Sequence, residues 1–442
     1  MQVNVTASEI TGRTVSLQTL GCKLNHAETS AIAASFARAG FHVRPFGERS
    51  DVVVINSCSV TENADRECRQ LVRRVLRSNR NAFVVVTGCY AQLKPEEIAS
   101  IDGVDLVVGT SEKHRLLTIE HEFVKREFPR VVVTDPDGES FGSASSSSED
   151  GRTRAYLKIQ DGCDYTCSFC TIPIARGRGR SLGLQQARDQ AVRLIDQGYR
   201  ELVLTGVNVG DYNPEPGVHL IHLLDVLHTL KGLARLRISS IEPNLVTDSI
   251  VSLAASSDRL MPHFHIPLQS GSDSILARMR RRYRSALFVE RLEHILSAIP
   301  DAAIGVDVIV GFPGEGEAEF ASTFELLHGL PIAYLHVFSY SERANTPSAS
   351  YEGTVPVHER RRRTRLLRAL SDVKKSSYAL RFRTTVRPVL IEGVGFSGYT
   401  DNYLRVELEG ADFAAGSIVD ARLGEFNGER ILGTAEGSFG AH

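Results

Sequence analysis

Three cysteines stand in one short loop, Cys163-Asp-Tyr-Thr-Cys167-Ser-Phe-Cys170, directly after the strand-like run AYLKIQ. A C-x3-C-x2-C spacing can aim three thiolates at one cubane iron–sulfur cluster and leave its fourth iron without a protein ligand, open to a substrate. The alternatives are a zinc site lacking one ligand, or three incidental core cysteines. Structural zinc is normally closed by four ligands, which counts against the first of these. Three more cysteines recur upstream, in TLGCKLN (Cys22), NSCSVT (Cys58) and TGCYAQ (Cys89), each just past the end of a predicted strand. Open parallel sheets gather their functional loops along that edge, so these thiols are candidates to converge on a second incomplete cluster. Taken singly, each also reads as an ordinary buried cysteine. Cys68, inside the helical pattern NADRECRQLVRRVLRS, reads as a non-ligand thiol.

The elements that must position these thiols are legible as periodicity. TVSLQTLG, DVVVINSC and AFVVVTGC alternate with helical patterns and predict an α/β domain with a parallel sheet over residues 1–140. The serine-rich stretch 141–152 reads as a linker. Six strands follow between helices, at AYLKIQ, ELVLTGV, RLRISSI, HFHIPL, AIGVDVIVGF and YLHVFSY. They predict an open (β/α)6 barrel over 153–378, because a full eight-unit barrel needs more chain. An arginine-rich helix, HERRRRTRLLRALSDVKKSSYALRF, leads into short alternating strands between glycines, which predict a small antiparallel β-barrel over 379–442.

At 442 residues and 42% hydrophobic content the chain is large enough for several cores, and a formal charge of −2 carries no global sign of a nucleic-acid partner. The N-terminal residues lack a secretory pattern, and no stretch approaches the roughly 18 apolar residues of a membrane span. A cytoplasmic protein without a membrane partner is expected. Seven cysteines in a reducing compartment then read as metal ligands or core residues rather than disulfides.

The 163–170 loop resembles the defining motif of the radical S-adenosylmethionine (SAM) superfamily. That resemblance implies a 4Fe-4S cluster whose open iron holds the amino and carboxylate groups of SAM. Electron transfer from a low-potential donor then produces a 5′-deoxyadenosyl radical. Phe169 would lie near the adenine. LTGVNVGDY with Thr205, Gly206 and Asn208, RISSIEPN with Ser239, Ser240 and Glu242, and IGVDVIVGFPGE with Gly305, Asp307, Gly311 and Glu315 resemble SAM-holding elements of that barrel. With the upstream trio, the chain resembles the methylthiotransferase family over nearly its whole length. Resemblance implies that Cys22, Cys58 and Cys89 hold a second 4Fe-4S cluster carrying the inserted sulfur, and that two SAM molecules are used.

TLGCKLNHAE, NSCSVTENAD, TIPIARGRGRS, HFHIPLQSGSD and RMRRRY are most similar to the branch acting on threonylcarbamoyladenosine beside the tRNA anticodon. The branch that modifies a ribosomal protein usually carries proline after the first cysteine, where Lys23 stands here. Rival readings are that protein-modifying activity, action on isopentenyl-adenosine, or a non-catalytic iron–sulfur RNA-binding or redox-sensing protein. Clusters of arginine are candidate phosphate contacts: Arg66, Arg69, Arg73, Arg74 and Arg77 on one helix; Arg176, Arg178 and Arg180 after the loop; Arg278, Arg280, Arg281, Arg282 and Arg284 further on. The C-terminal module, with Gly398-Tyr-Thr-Asp-Asn402-Tyr403, resembles the RNA-associated TRAM domain. Yet over 381–442 it holds six arginines against nine acidic residues, so packing against the barrel is the competing role. A monomer is expected.

Overall fold

The computed structural model describes residues 12–59, 62–138, 141–142, 144–146, 153–393, 396–410 and 413–436. The end of the NSCSVT motif (60–61) and most of the serine-rich stretch lie outside the described residues.

Strands β1 (Thr14–Thr19), β2 (His42–Arg44), β3 (Val52–Ser57), β4 (Phe83–Gly88), β5 (Leu106–Val108) and β6 (Arg130–Val132) form one parallel sheet in the order β2-β1-β3-β4-β5-β6. The two central strands, VVVINS and FVVVTG, are buried along their whole length. Helix α1 (Lys23–Arg38) starts directly after Cys22, α2 (Glu62–Ser78) connects β3 to β4, and the short α3 (Cys89–Leu93) leaves the end of β4. The pleat sends alternate residues to opposite faces, and both faces are covered. Val53, Ile55, Val84 and Val86 pack with Cys68, Leu71 and Val72 of α2, whereas Val52, Val54, Phe83 and Val85 pack with Ile32 and Phe36 of α1.

The central unit is built from β7 (Arg154–Lys158), a small hairpin of β8 (Gln160–Asp161) and β9 (Arg180–Ser181), and then β10 (Glu201–Thr205), β11 (Arg235–Ile238), β12 (His263–His265), β13 (Ala303–Val310) and β14 (Tyr334–Ser339). β7, β10 and β11 pair in parallel, as do β12, β13 and β14. Parallel bridges Leu236↔Leu260 and Ser240↔His265 join the two sheets into one open barrel of six strands. Its outward residues, among them Leu202, Leu204, Leu236, Ile238, Val306 and Val308, pack against the surrounding helices. Inward residues include the polar pairs Arg237–Glu201 and His265–Asp307, with Val203 and Tyr156 packed against Ala27 of α1. Part of the stretch expected as a linker lies along the barrel edge: Ser146 N donates to Tyr156 O at 2.9 Å and Lys158 N to Ala144 O at 3.0 Å.

The helix Val357–Leu380 covers β14, and Leu335 N donates to Ser371 Oγ. It leads into β15 (Val386–Ile391), β16 (Ser397–Thr400), β17 (Arg405–Glu409), β18 (Ile418–Phe426) and β19 (Ile431–Ala435), a closed barrel ordered β15-β16-β17-β19-β18. Its pairs are antiparallel except for the parallel pair of β17 with β19. The 399–403 loop of this module docks into the large barrel. Arg235 donates to the Tyr399 and Pro388 carbonyls, Arg237 donates to Asp401 O, and the ring of Tyr403 stacks 4.1 Å from that of His263.

Candidate active site

The upstream thiols are brought together by close backbone approach. Gly21 has φ +93°, and a Cβ there would fall 2.6 Å from both Cβ and Sγ of Cys58; at Gly88, φ +96°, it would fall 2.3 Å from Ser57 O. Only glycine fits either place. The asparagines of the two motifs then lace the loops. Asn25 Nδ2 donates to Leu20 O and Ser57 O, and Asn56 Nδ2 donates to Asn25 O and Thr29 Oγ1. Cys58 and Cys89 are buried, while Cys22 keeps accessible surface although protein surrounds it. Burial raises the Cys22 thiol, Arg176 opposes that rise, and Cys89 adds to it.

The second trio sits on the loop between the β8/β9 hairpin and the helix Ile172–Arg176. Cys163 N donates to Gly177 O, Ser168 N to Met279 O, and Ser168 Oγ to Arg278 O, so the loop is clamped on both flanks. Burial pushes the Cys163 thiol up to about 11 and the Cys170 thiol up to about 12, and neighbouring thiols of the same loop push in the same direction. Cys167 is also raised by burial, with Arg281 opposing: its Nη1 donates to Cys167 Sγ at 3.2 Å. Three crowded thiols that resist ionisation in isolation are what a metal cluster would deprotonate on binding. Cys68, by contrast, is fully buried among Leu71, Val72 and Val75 and pushed up to about 12, as an inert core thiol should be.

Two residues expected to meet SAM present groups in need of a partner: both side-chain polar atoms of Asn208 and Ser239 Oγ are buried without one, and so is Oδ1 of Asn244, which the sequence did not single out. Buried polar atoms are ordinarily satisfied, so orphans at neighbouring strand ends suit a polar ligand and fit SAM. Thr205 ends β10 and is buried, and Ser240 bridges to His265 beside Ser239. Gly206 is a glycine for packing, since a Cβ would meet Gln160 at 2.9 Å; Gly311 likewise leaves room for the stem of Arg360 and gives its N–H to Glu315. Gly305 makes room for the Tyr334 ring. Glu242 is bound to Arg281, and burial nevertheless raises its carboxyl. Phe169 packs edge-on against Phe312 at 6.4 Å.

Arg176 corrects one expectation. It is 2% exposed, too deep for phosphate, and clamps the two large domains together. Its guanidinium donates to Asn25 Oδ1 at 2.7 Å, to both Glu28 oxygens at 3.0 and 3.1 Å, and to Asp161 Oδ1 at 3.0 Å. Lys158 and Lys113 bind the same Glu28. Arg180 is also largely committed, to the Pro136 and Arg176 carbonyls. Because Cys170 lies just before the Arg176 helix and Cys22 just before the Glu28 helix, this network ties one thiol trio to the other.

Family models match on both sides of this junction: the Uncharacterized protein family UPF0004 over residues 14–109, and the Radical SAM superfamily over 157–327. The chain is 40% identical to the threonylcarbamoyladenosine tRNA methylthiotransferase MtaB of Bacillus subtilis, over 93% of each chain. It is 36% identical to the protein of that name from Thermotoga maritima, over 96% of this chain and 95% of that one. The chain belongs to the radical SAM tRNA methylthiotransferase family. As a radical SAM enzyme it uses SAM and a 4Fe-4S cluster. Among solved structures, the radical SAM methyltransferase TsrM of Kitasatospora setae shares the fold, with a TM-score of 0.55 at 14% identity over 76% of this chain and 75% of that chain.

Around this candidate site the arginines are unevenly free. The Arg178 side chain is 80% exposed with a loose 3.5 Å pair to Asp164, Arg280 is exposed, and Arg282 lies 3.7 Å over the Tyr165 ring. Arg278 bonds the Pro313 and Glu352 carbonyls, Arg281 is buried on Glu242, and Arg69 is held by Tyr90 and Glu97. On the inner wall of the barrel, Asp307 was named from the sequence, but His265 and His336 were not. His265 and His336 both bond Asp307, at 2.8 and 3.2 Å, and hold its carboxyl well below the usual range against the opposing effect of burial. The alternation in RLRI and HFH was the available signal: period-2 polar residues inside otherwise apolar barrel strands. Among the described residues, no helix is long and apolar enough to cross a membrane.

Proposed function

We propose that the chain inserts a methylthio group at C2 of N6-threonylcarbamoyladenosine next to the tRNA anticodon, using two SAM molecules and two 4Fe-4S clusters, in the cytoplasm. Cys163, Cys167 and Cys170 would hold the cluster at which SAM is reductively cleaved to supply the radical, and Cys22, Cys58 and Cys89 the cluster that presents sulfur. The domain division is 1–140, 153–378 and 379–442. The observation carrying this reading is the clamp that joins both thiol trios: Arg176 lies within electrostatic reach of Cys22 and Cys89 and leaves the loop bearing Cys170.

The chain's own groups prepare the site. Arg281 keeps a fixed positive charge against Cys167 Sγ, and Glu242 fixes its orientation. Asn208, Ser239 and Asn244 offer unpaired donors and acceptors to SAM. Arg178, Arg280 and Arg282 are exposed and would meet RNA phosphates.

Anaerobic reconstitution with iron counting tests the assignment. Replacing either cysteine trio with alanine should remove about half the iron, since each holds a cluster of about four irons, and both changes should abolish the added methylthio mass on tRNA. Loss of all iron, or of none, from the change at 22, 58 and 89 would refute the two-cluster reading.

A further inference from the structure

Four basic side chains converge where the open barrel meets α1 and the 399–403 loop. Three have partners. Arg154 pairs with Glu392 at 2.6 Å and lies over the Tyr399 ring, Arg235 bonds two carbonyls of the small barrel, and Arg237 Nε pairs with Glu201 at 2.9 Å. Lys23 differs. It keeps some accessible surface, yet among the described residues its ammonium forms no ion pair and no hydrogen bond, and it lies within electrostatic reach of Tyr403, Arg154, Arg237 and Asp307. Arg237 Nη2 is buried without a partner as well, and so is His263 Nδ1.

A cation without a partner is costly where protein surrounds it, and the unpaired Lys23 ammonium and Arg237 Nη2 together leave room for an acceptor, although Glu201 Oε2 is unpaired nearby as well. Asp307 does not supply it, being engaged by His265 and His336. Tyr403 brings one phenol to three cations. An anion with more than one acceptor oxygen would answer both cations, and Lys23 directly follows Cys22 in the chain.

We propose that Lys23 and Arg237 form the subsite that receives the carboxylate of the substrate's threonyl group, an inference that rests on the base assigned above. The subsite selects this base over an isopentenyl one, because an apolar substituent leaves the Lys23 ammonium and Arg237 Nη2 without an acceptor. SAM also carries a carboxylate, so the test must separate the two sources.

Two anticodon stem-loop RNAs, identical except that the threonyl carboxylate is replaced by a primary amide in one, are offered to the reconstituted enzyme. Wild type should favour the carboxylate by about 10- to 100-fold in kcat/KM, the range of a charge-assisted hydrogen bond. In Lys23→Met and in Arg237→Gln the ratio should fall toward unity, and Lys23→Arg should keep most of it. Because both RNAs meet the same preparation, partial misfolding cancels from the ratio. A wild-type ratio near one overturns the proposal without any variant, and so does a ratio unchanged in both variants. A rise in the KM for SAM at an unchanged RNA ratio assigns the subsite to SAM and also overturns it. Should wild type modify isopentenyl-adenosine RNA and neither threonyl RNA, the base assignment falls, and the subsite with it.

Discussion

Glu28 is the anion on which the junction of the two large domains depends, and replacing it with glutamine tests the clamp. Its side chain is 4% exposed and faces three cations, with Arg176 at 3.0 and 3.1 Å, Lys158 at 3.0 Å and Lys113 beside them. Glu28→Gln keeps the shape and one acceptor while removing the charge, which leaves Asp161 to face Arg176 and Lys158 alone. Breaking a buried pair by deleting one partner costs about 3–5 kcal/mol, because the surviving charges stay desolvated. At about 1.4 kcal/mol per factor of ten, hydrogen exchange in α1 and in the helix Ile172–Arg176 should accelerate by roughly two to three and a half powers of ten. Exchange is preferable to a melting midpoint in a chain of several domains, for which one midpoint is ill-defined. The effect has a signed pH dependence. Burial works to raise the Glu28 carboxyl, but Arg176, Lys113 and Lys158 hold it well below the usual value. Its contribution is therefore complete above the unfolded value of about 4.3 and is lost as pH falls toward the lower folded value. The gap between wild type and variant should be flat from pH 8 to about 5 and narrow below. Protection unchanged within about threefold, or a gap that widens on acidification, would refute the reasoning.

Three further changes probe other parts of the site. Asn208→Ala and Ser239→Ala should each raise the KM for SAM by about tenfold, the worth of one hydrogen bond, while the iron count stays that of wild type. Arg178→Ala and Arg282→Ala should weaken tRNA binding and lower the slope of log affinity against log salt by about 0.7 to 0.9 for each phosphate no longer neutralised; Arg176→Met should instead loosen the domain junction. Cys68→Ala should speed hydrogen exchange in α2 by about fivefold, the worth of about 1 kcal/mol lost through a small cavity, and leave iron content unchanged.

The parts of this protein legible in its sequence are those written in local spacing. The C-x3-C-x2-C loop, the β-branched runs of β3 and β4 and the glycines beside Cys22 and Cys89 each declare themselves within a few residues, because a cluster-binding loop and a doubly buried strand impose local patterns. What stayed hidden was pairing between distant segments. Arg176 belongs to an arginine-rich string, and its neighbour Arg178 does face solvent. Only the fold shows that Arg176 turns inward to meet Glu28 and Asn25, more than 140 residues away. The arginine-rich helix Val357–Leu380 repeats the lesson, since Arg360 and Arg363 are buried against Glu342 and Glu315. A run of like charges is compatible with a phosphate-binding face or with a set of buried pairs, and the choice lies with carboxylates elsewhere in the chain. Lys23 shows the reverse case. It stands where a related branch carries proline, but its significance comes from Arg154, Arg237 and Tyr403, contributed by two barrels that fold from later sequence. The inward arginines and histidines of RLRI and HFH are more recoverable, because such residues at alternate places in short barrel strands are too costly to bury unless they face polar partners.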